Sequence, residues 1–303
     1  MSSKLVIVNG ARTPFGAFGG GLAQKTATDL AVHASKSAIE RSQVEACEID
    51  YVVMGNVLQT SRDAIYLARH VGLRSGLQED APGLILNLLC GSGVMAVANA
   101  EMLIEAGQAQ IVLSGGADSL SMTPYINWSN RWGGRMGHQE LWDGLDIRDT
   151  LPDASMGETA ENLQKEYSIT REEQDDFALL SQTRCKQAME GGRLDAEITP
   201  VTLTCRKGKE TIVAKDEHPR PGTDKASLAK LSPAFLKGGS VTAGNACGIV
   251  DGAAALVVTS EAEAEKRNLE PLSRVLSWAV TGVPPRIMGI GPVPVIPMAL
   301  KKA

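Results

Sequence analysis

The 303-residue sequence has no apolar run of the ~20 residues that a bilayer span requires, so no membrane partner is expected. Its opening, MSSKLVIVNGARTP, enters a strand-like run at once, without the charged, apolar and small-residue succession of a signal peptide. The expected location is the cytoplasm, with the mitochondrial matrix as the alternative for a eukaryotic source. Positive charge is not in excess either. A net charge of −5 argues against wholesale nucleic-acid binding, leaving room only for local basic patches. Cysteines number five (Cys47, Cys90, Cys185, Cys205 and Cys247), an odd count with no CxxC pair. Reduced thiols in a reducing compartment fit that usage better than a disulfide framework. The four histidines, His33, His70, His138 and His218, show no metal-ligand spacing, and no metal site is expected.

What is present is a globular balance of 43% hydrophobic and 21% charged residues, in a chain long enough for two ordinary domains. Lys4 to Val8 reads as a buried strand and Thr28 to Arg41 as a helix with Thr28 or Asp29 as N-cap. Tyr51 to Met54 reads as a strand, Ala64 to Val71 as a helix and Leu84 to Leu89 as a buried strand. Val94 to Ala106 follows as a helix and Gln110 to Leu113 as a strand ending in SGGAD. Strands alternating with helices predict a layered α/β domain over about the first 118 residues.

From Ser119 the pattern changes. Residues 119–154 hold three tryptophans and no clean period. Glu158 to Tyr167 and Arg171 to Met189 read as helices, the second opening on acidic residues that suit a helix N-terminus. Cys205 to Ser240 reads as loop, with eight Lys/Arg against four Asp/Glu. Ala253 to Thr259 is again strand-like, followed by the charged helix SEAEAEKR. Ser273 to Gly282 reads as a fresh first strand echoing LVIVNGARTP. A lone strand and helix start cannot bury their own apolar faces, so exposed apolar surface, with self-association, is expected.

The stretch LILNLLCGSGVMAVANAEML places Cys90 where a strand gives way to a helix. Unpaired N–H groups at a helix start carry partial positive charge and favour a thiolate there. Gly91 and Gly93 are expected to let the backbone turn tightly and to keep side chains off the sulfur. The arrangement is like a nucleophile elbow with Cys in place of Ser. The plainer reading is a structural thiol packed as a small hydrophobe, the fate of most cysteines. Spacing alone leaves both open.

LNLLCGSGVMAV resembles the segment around the acyl-accepting cysteine of thiolases, the acetyl-CoA acyltransferases. ARTPFGAFGGGL, MGNVLQTSRDAIYLARHVGLRSG, SGGADSLSMTPY, MGETAENL, GGSVTAGNACGIVDGAAAL and MGIGPVPV match the same family, in its order and over essentially the whole chain. MGNVLQTSRDAIYLARHVGLR and DEHPRPGT look most like the 3-ketoacyl-CoA thiolases that shorten fatty acyl chains, and RWGGRMG like the loop through which many thiolases form tetramers. The resemblance implies a thiolase-like layered α/β/α fold: an N-terminal domain over 1–118 and 250–272, a coenzyme-A-binding loop domain over 119–249, and the start of a C-terminal domain over 273–303. It also implies Cys90 as the S-acyl intermediate, with Arg220, Thr223 and Ser227 at the nucleotide end of coenzyme A. Met156, Phe235, Ala243 and Cys247 would line the pantetheine arm; the family has Ser at the last position, and a thiol is a weaker hydrogen-bonding partner. Coenzyme A and acyl-CoA are implied as substrates, with no tightly bound cofactor, in a homodimer or homotetramer.

Absent are the family's NEAF segment, its GHP segment with the histidine that activates the thiol, and its CxGGG segment with a second cysteine. His218 lies in the DEHPRPGT match and reads as a loop histidine; Cys247 lies in the pantetheine segment and does not replace the second cysteine. Either the polypeptide is cut short or a second chain supplies the remainder. On this reading the 303 residues bind coenzyme A weakly at best and lack turnover. A ketoacyl-synthase-like condensing enzyme and a non-catalytic coenzyme-A-binding subunit are the alternatives.

Overall fold

The computed structural model describes residues 4–204 and 208–303; Cys205 lies outside them. The chain divides into two compact units, the first made of residues 1–123, 194–218 and 249–276 and the second of 124–193, 219–248 and 277–303.

The first unit is a mixed sheet covered by helices. Its strands are β1 (Leu5–Arg12), β2 (Tyr51–Gly55), β3 (Gly83–Leu86) and β4 (Ile111–Ser119). A hairpin of β5 (Val201–Thr204) and β6 (Glu210–Val213) stands apart, and β7 (Val250–Ser260) and β8 (Ser273–Arg274) join the sheet, with a two-residue strand at Gly16–Ala17 pairing the start of β7. The spatial order is β8-β1-β7-β4-β2-β3. β2 runs parallel to β3 and β4, whereas β7 runs antiparallel to β1 and β4. One face packs on α1 (Ala27–Ser42) and α2 (Leu67–Ser75), joining Leu30, Ala34, Val52, Leu67, Leu113 and Val257 in the larger core. The other face packs on α3 (Ser92–Glu105), where Ala96 and Ala100 meet Val53, Val112 and Val258.

Local chemistry explains the boundaries, several of which differ from expectation. The N-cap of α1 is Thr26, not Thr28 or Asp29: its hydroxyl accepts the Asp29 N–H at 3.0 Å, while Thr28 is buried. β4 does not end at SGGAD but runs through it. A side chain at position 115 would overlap the Ala254 carbonyl oxygen, so glycine there permits close strand packing instead of breaking the strand. The stretch read as loop from Cys205 contains β6 and a short helix over Lys225–Ala229. Val201 and Val213 bury in the larger core, which groups Leu194–His218 with the sheet. Arg12 fastens this segment, bonding Glu197 at 2.7 Å and Asp216 at 2.7 and 3.0 Å.

Two expected buried elements are half-exposed. β3 is a sheet edge, and Leu84, Leu88, Leu89 and Val94 are all exposed; the α3 residues that bury are small ones. Ser273 to Gly282 yields a strand only at Ser273–Arg274, which adds to the β1 edge. The Val275 N–H still bonds the Leu5 carbonyl at 2.9 Å, and from there the backbone stays irregular to Pro284.

In the second unit, α4 (Met156–Tyr167) and α5 (Arg171–Glu190) each open on a capping box, Ser155 with Glu158 and Thr170 with Glu173. α6 (Lys225–Ala229) is capped by Asp224, and α7 (Pro292–Lys302) follows a 3₁₀ segment over Pro285–Ile290. Asn162 and Glu166 of α4 bond the Arg286 carbonyl and guanidinium. Apolar side chains of the final stretch are left outside, as expected, with Val293 and Leu300 exposed; Trp128, Trp132 and Met136 are exposed too.

Candidate active site

Cys90 lies on an exposed turn between the end of β3 and the start of α3. β2 and α3 approach closely where the helix begins: a Cβ on Gly55 would sit 2.7 Å from the Ser92 Cβ. The tight turn comes from an unexpected residue. Gly91 has an ordinary right-handed φ of −81°, and Gly93 faces open space; the left-handed residue is Leu89, at φ +50°. A leucine in that region costs about 1–2 kcal/mol. The turn is closed by Gly91 N–H to the Leu88 carbonyl at 3.1 Å and Ser92 N–H to the Leu89 carbonyl at 3.0 Å. The Ser92 hydroxyl accepts the Leu88 N–H at 2.9 Å and donates to the Leu89 carbonyl at 2.6 Å. Asn87 accepts the Leu89 N–H at 2.9 Å and donates to the Val57 carbonyl at 3.0 Å.

Beside this turn, Asp118 of β4 receives the Val57 and Leu58 N–H groups at 3.1 Å and the Asn56 amide at 3.0 Å. Burial pushes its carboxyl above the usual range, against the three donors that pull it down.

The second unit gathers the remaining predicted residues into two places. Arg220 and Thr223 share one turn, and Ser227 lies on α6 just after it. The Arg220 N–H bonds Gln182 of α5 at 2.8 Å, the Thr223 hydroxyl bonds the Arg220 carbonyl at 2.7 Å, and Ser227 completes the Asp224 cap. Elsewhere, the Phe235 ring lies where a side chain on Gly157 would be, next to Met156, and both apolar side chains are exposed. The segment carrying Ala243 joins them through the Ala234 N–H to Val241 carbonyl bond at 2.9 Å. Cys247 is exposed, with its thiol 3.6 Å from the Gly248 carbonyl. One chain crossing therefore ties together the segments that carry Met156, Phe235 and Ala243. His218 is a loop residue, as read.

Sequence reasoning missed the groups that hold these segments. Glu161 of α4 is buried and receives the Ser240 N–H at 2.9 Å, the Val241 N–H at 2.8 Å and the Ser240 hydroxyl at 3.2 Å. Asp175 of α5, also buried, accepts the Asn245 amide at 2.9 Å and the Arg171 guanidinium at 2.8 Å. Both acids sit in polar helical stretches with no sequence signal of burial. No cluster of three or more potential metal ligands occurs among the described residues.

Residues 5–262 match the family model described as thiolase, N-terminal domain. The chain is 46% identical to the human mitochondrial 3-ketoacyl-CoA thiolase over 302 residues, covering 98% of this chain and 75% of that protein. It is also 46% identical to the acetyl-CoA acetyltransferase of Escherichia coli K12 over 303 residues, covering 98% and 76%. The crystal structure of the human enzyme in complex with CoA superposes with a TM-score of 0.94 at 45% identity, covering 99% of this chain and 75% of that one.

Proposed function

Since the chain belongs to the thiolase family, we propose that it is an acyltransferase in which the Cys90 sulfur accepts an acyl group from an acyl-CoA or 3-ketoacyl-CoA and passes it to coenzyme A or acetyl-CoA. One observation carries the reading: the segment resembling the family's acyl-accepting one puts its cysteine on an exposed strand–helix turn, open to a thioester.

Sulfur suits the exchange. A thiolate attacking a thioester carbonyl passes through a tetrahedral oxyanion and expels the coenzyme-A thiolate, so one thioester replaces another of similar energy. An oxygen ester at the same position would forfeit much of the acyl group's activation. With a 3-ketoacyl donor, attack at the keto carbon breaks the carbon–carbon bond and the acetyl-CoA fragment leaves as an enolate that takes up a proton. The covalent intermediate separates cleavage from hand-over, and ping-pong kinetics follow. Backbone N–H groups around Cys90 would supply part of the oxyanion stabilisation.

Arg220, Thr223 and Ser227 are read as contacts to the nucleotide end of coenzyme A. Met156, Phe235, Ala243 and Cys247 are read as the lining of the pantetheine arm. The exposed Met156–Phe235 pair supports that reading, since an alkyl-amide chain gains from apolar contact. The exposed tryptophans and Met136 around RWGGRMG support assembly as a homo-oligomer. No helix among the described residues is long and apolar enough to cross a membrane. Mitochondrial and bacterial relatives leave the matrix and the cytoplasm as the two readings of location. The condensing-enzyme alternative gains nothing from relatives named as thiolases and acetyltransferases.

The test is incubation with acetyl-CoA or acetoacetyl-CoA, proteolysis, and mass analysis of the peptide carrying Cys90. An acetyl group on that peptide, absent from Cys90→Ala, is the expected result. Absence of acetylation from Cys90 under conditions that label free thiols elsewhere, both in this chain and in a version extended by the family's GHP and CxGGG segments, would overturn the assignment.

A further inference from the structure

We propose that Asn87 is a positioning residue for acyl transfer: its carboxamide holds Leu89 in the left-handed conformation that presents the Cys90 sulfur. The inference rests on the reading of Cys90 as the acyl acceptor. Three observations carry it. First, Leu89 lies at φ +50°, a region a leucine leaves unless something holds it. Second, apolar packing does not hold it, because Leu88 and Leu89 are 44% and 52% exposed. Third, the polar contacts available to do so converge on the turn. The Asn87 amide oxygen accepts the Leu89 N–H at 2.9 Å, and its amide nitrogen donates to the Val57 carbonyl at 3.0 Å.

That second bond distinguishes Asn87 from an ordinary local turn former. Val57 belongs to the segment leaving β2, and this segment is itself pinned by the Asp118 carboxylate through the Val57 and Leu58 N–H groups at 3.1 Å each. The turn before Cys90 is thus referenced to the sheet interior through Asn87, while Ser92 closes it from the helix side. With alanine at position 87 both links go. Leu89 then relaxes toward ordinary φ, and the peptide that carries the Cys90 N–H rotates with it.

A consequence separates positioning from general stability. Glycine adopts positive φ without steric cost, so Leu89→Gly removes the strain that Asn87 opposes. The expected result for Asn87→Ala is alkylation of Cys90 by iodoacetamide slowed about tenfold, the scale of a one- to two-kcal/mol conformational bias, with the rate at exposed Cys47 unchanged. In the Asn87→Ala/Leu89→Gly double variant, much of the Cys90 rate returns. Rates are read for each thiol by peptide mass spectrometry on the 303-residue chain, with circular dichroism at each step. Unchanged Cys90 reactivity in Asn87→Ala overturns the inference, as does equal change at Cys47 and Cys90 or no recovery with Leu89→Gly. Acetylation of Cys90 in the parent chain is measured in parallel. If neither the parent nor a version extended by the family's GHP and CxGGG segments acetylates, the acyl-acceptor reading fails; if Cys90 acetylates and Asn87→Ala does so at the same rate, only the positioning role fails.

Discussion

Replacing Glu161 should release the loop that carries Ala243. The carboxylate is 5% exposed and receives two backbone N–H groups, from Ser240 and Val241, and one hydroxyl. Glu161→Ala removes all three acceptor contacts and leaves two buried N–H groups without partners. A stranded buried donor costs about 1–3 kcal/mol, so the substitution should destabilise the second unit by about 3–5 kcal/mol. Glu161→Gln keeps the shape and one acceptor oxygen but turns an NH₂ toward an N–H, and about 2 kcal/mol is expected. Amide hydrogen exchange on peptides covering Leu236 to Asn245 reads the effect directly. A loss of 2 kcal/mol speeds exchange at Ser240 and Val241 about 30-fold in Glu161→Gln, with a further increase in Glu161→Ala. Exchange in β4 and β7 should stay unchanged. If protection at Ser240 and Val241 survives Glu161→Ala, the carboxylate does not hold the loop and the reasoning is wrong.

Other outcomes follow from single interactions. Thr26→Ala should lower the stability of the first unit by about 1 kcal/mol through the lost N-cap of α1, read as a lower urea midpoint, whereas Thr26→Ser should cost far less. Glu158 and Glu173 are held below the usual carboxylate range by the backbone and side chain of Ser155 and Thr170 respectively. Their contribution is present above the ordinary range and lost as pH falls through the folded-state value, so Glu158→Gln with Glu173→Gln should flatten the acid limb of the midpoint-versus-pH curve. Asp118 has the opposite sign: burial raises its carboxyl, so its contribution is complete below the ordinary value and declines as pH rises through the raised one. Asp118→Asn should remove that decline, and an unchanged curve would contradict the burial argument. Phe235→Ala should weaken coenzyme A binding by about tenfold, the scale of one lost aromatic contact, measured by calorimetry.

The alternation of strands and helices was legible in the sequence because period two and period 3.6 survive wherever an element buries one face. α1, β2, α5 and β7 fall close to where that periodicity puts them. Cys90 was legible as a thiol at a strand–helix junction, and the family resemblance supplied its chemistry. Other features depended on tertiary contacts that no local pattern encodes. The glycines of SGGAD continue β4 because Ala254 leaves no room for a side chain there. SRVLSWAVTG stays largely irregular because its contact with the neighbouring strand β1 ends at Val275. Leu89, not a glycine, takes the left-handed turn because Asn87 and Ser92 bond the peptides on either side of it. Sequence alone determined which residues could form helices, strands and a nucleophile. Tertiary structure decided which backbone groups found partners, and a peptide group's conformation follows its hydrogen-bonding partner when the local preference amounts to only a few kcal/mol.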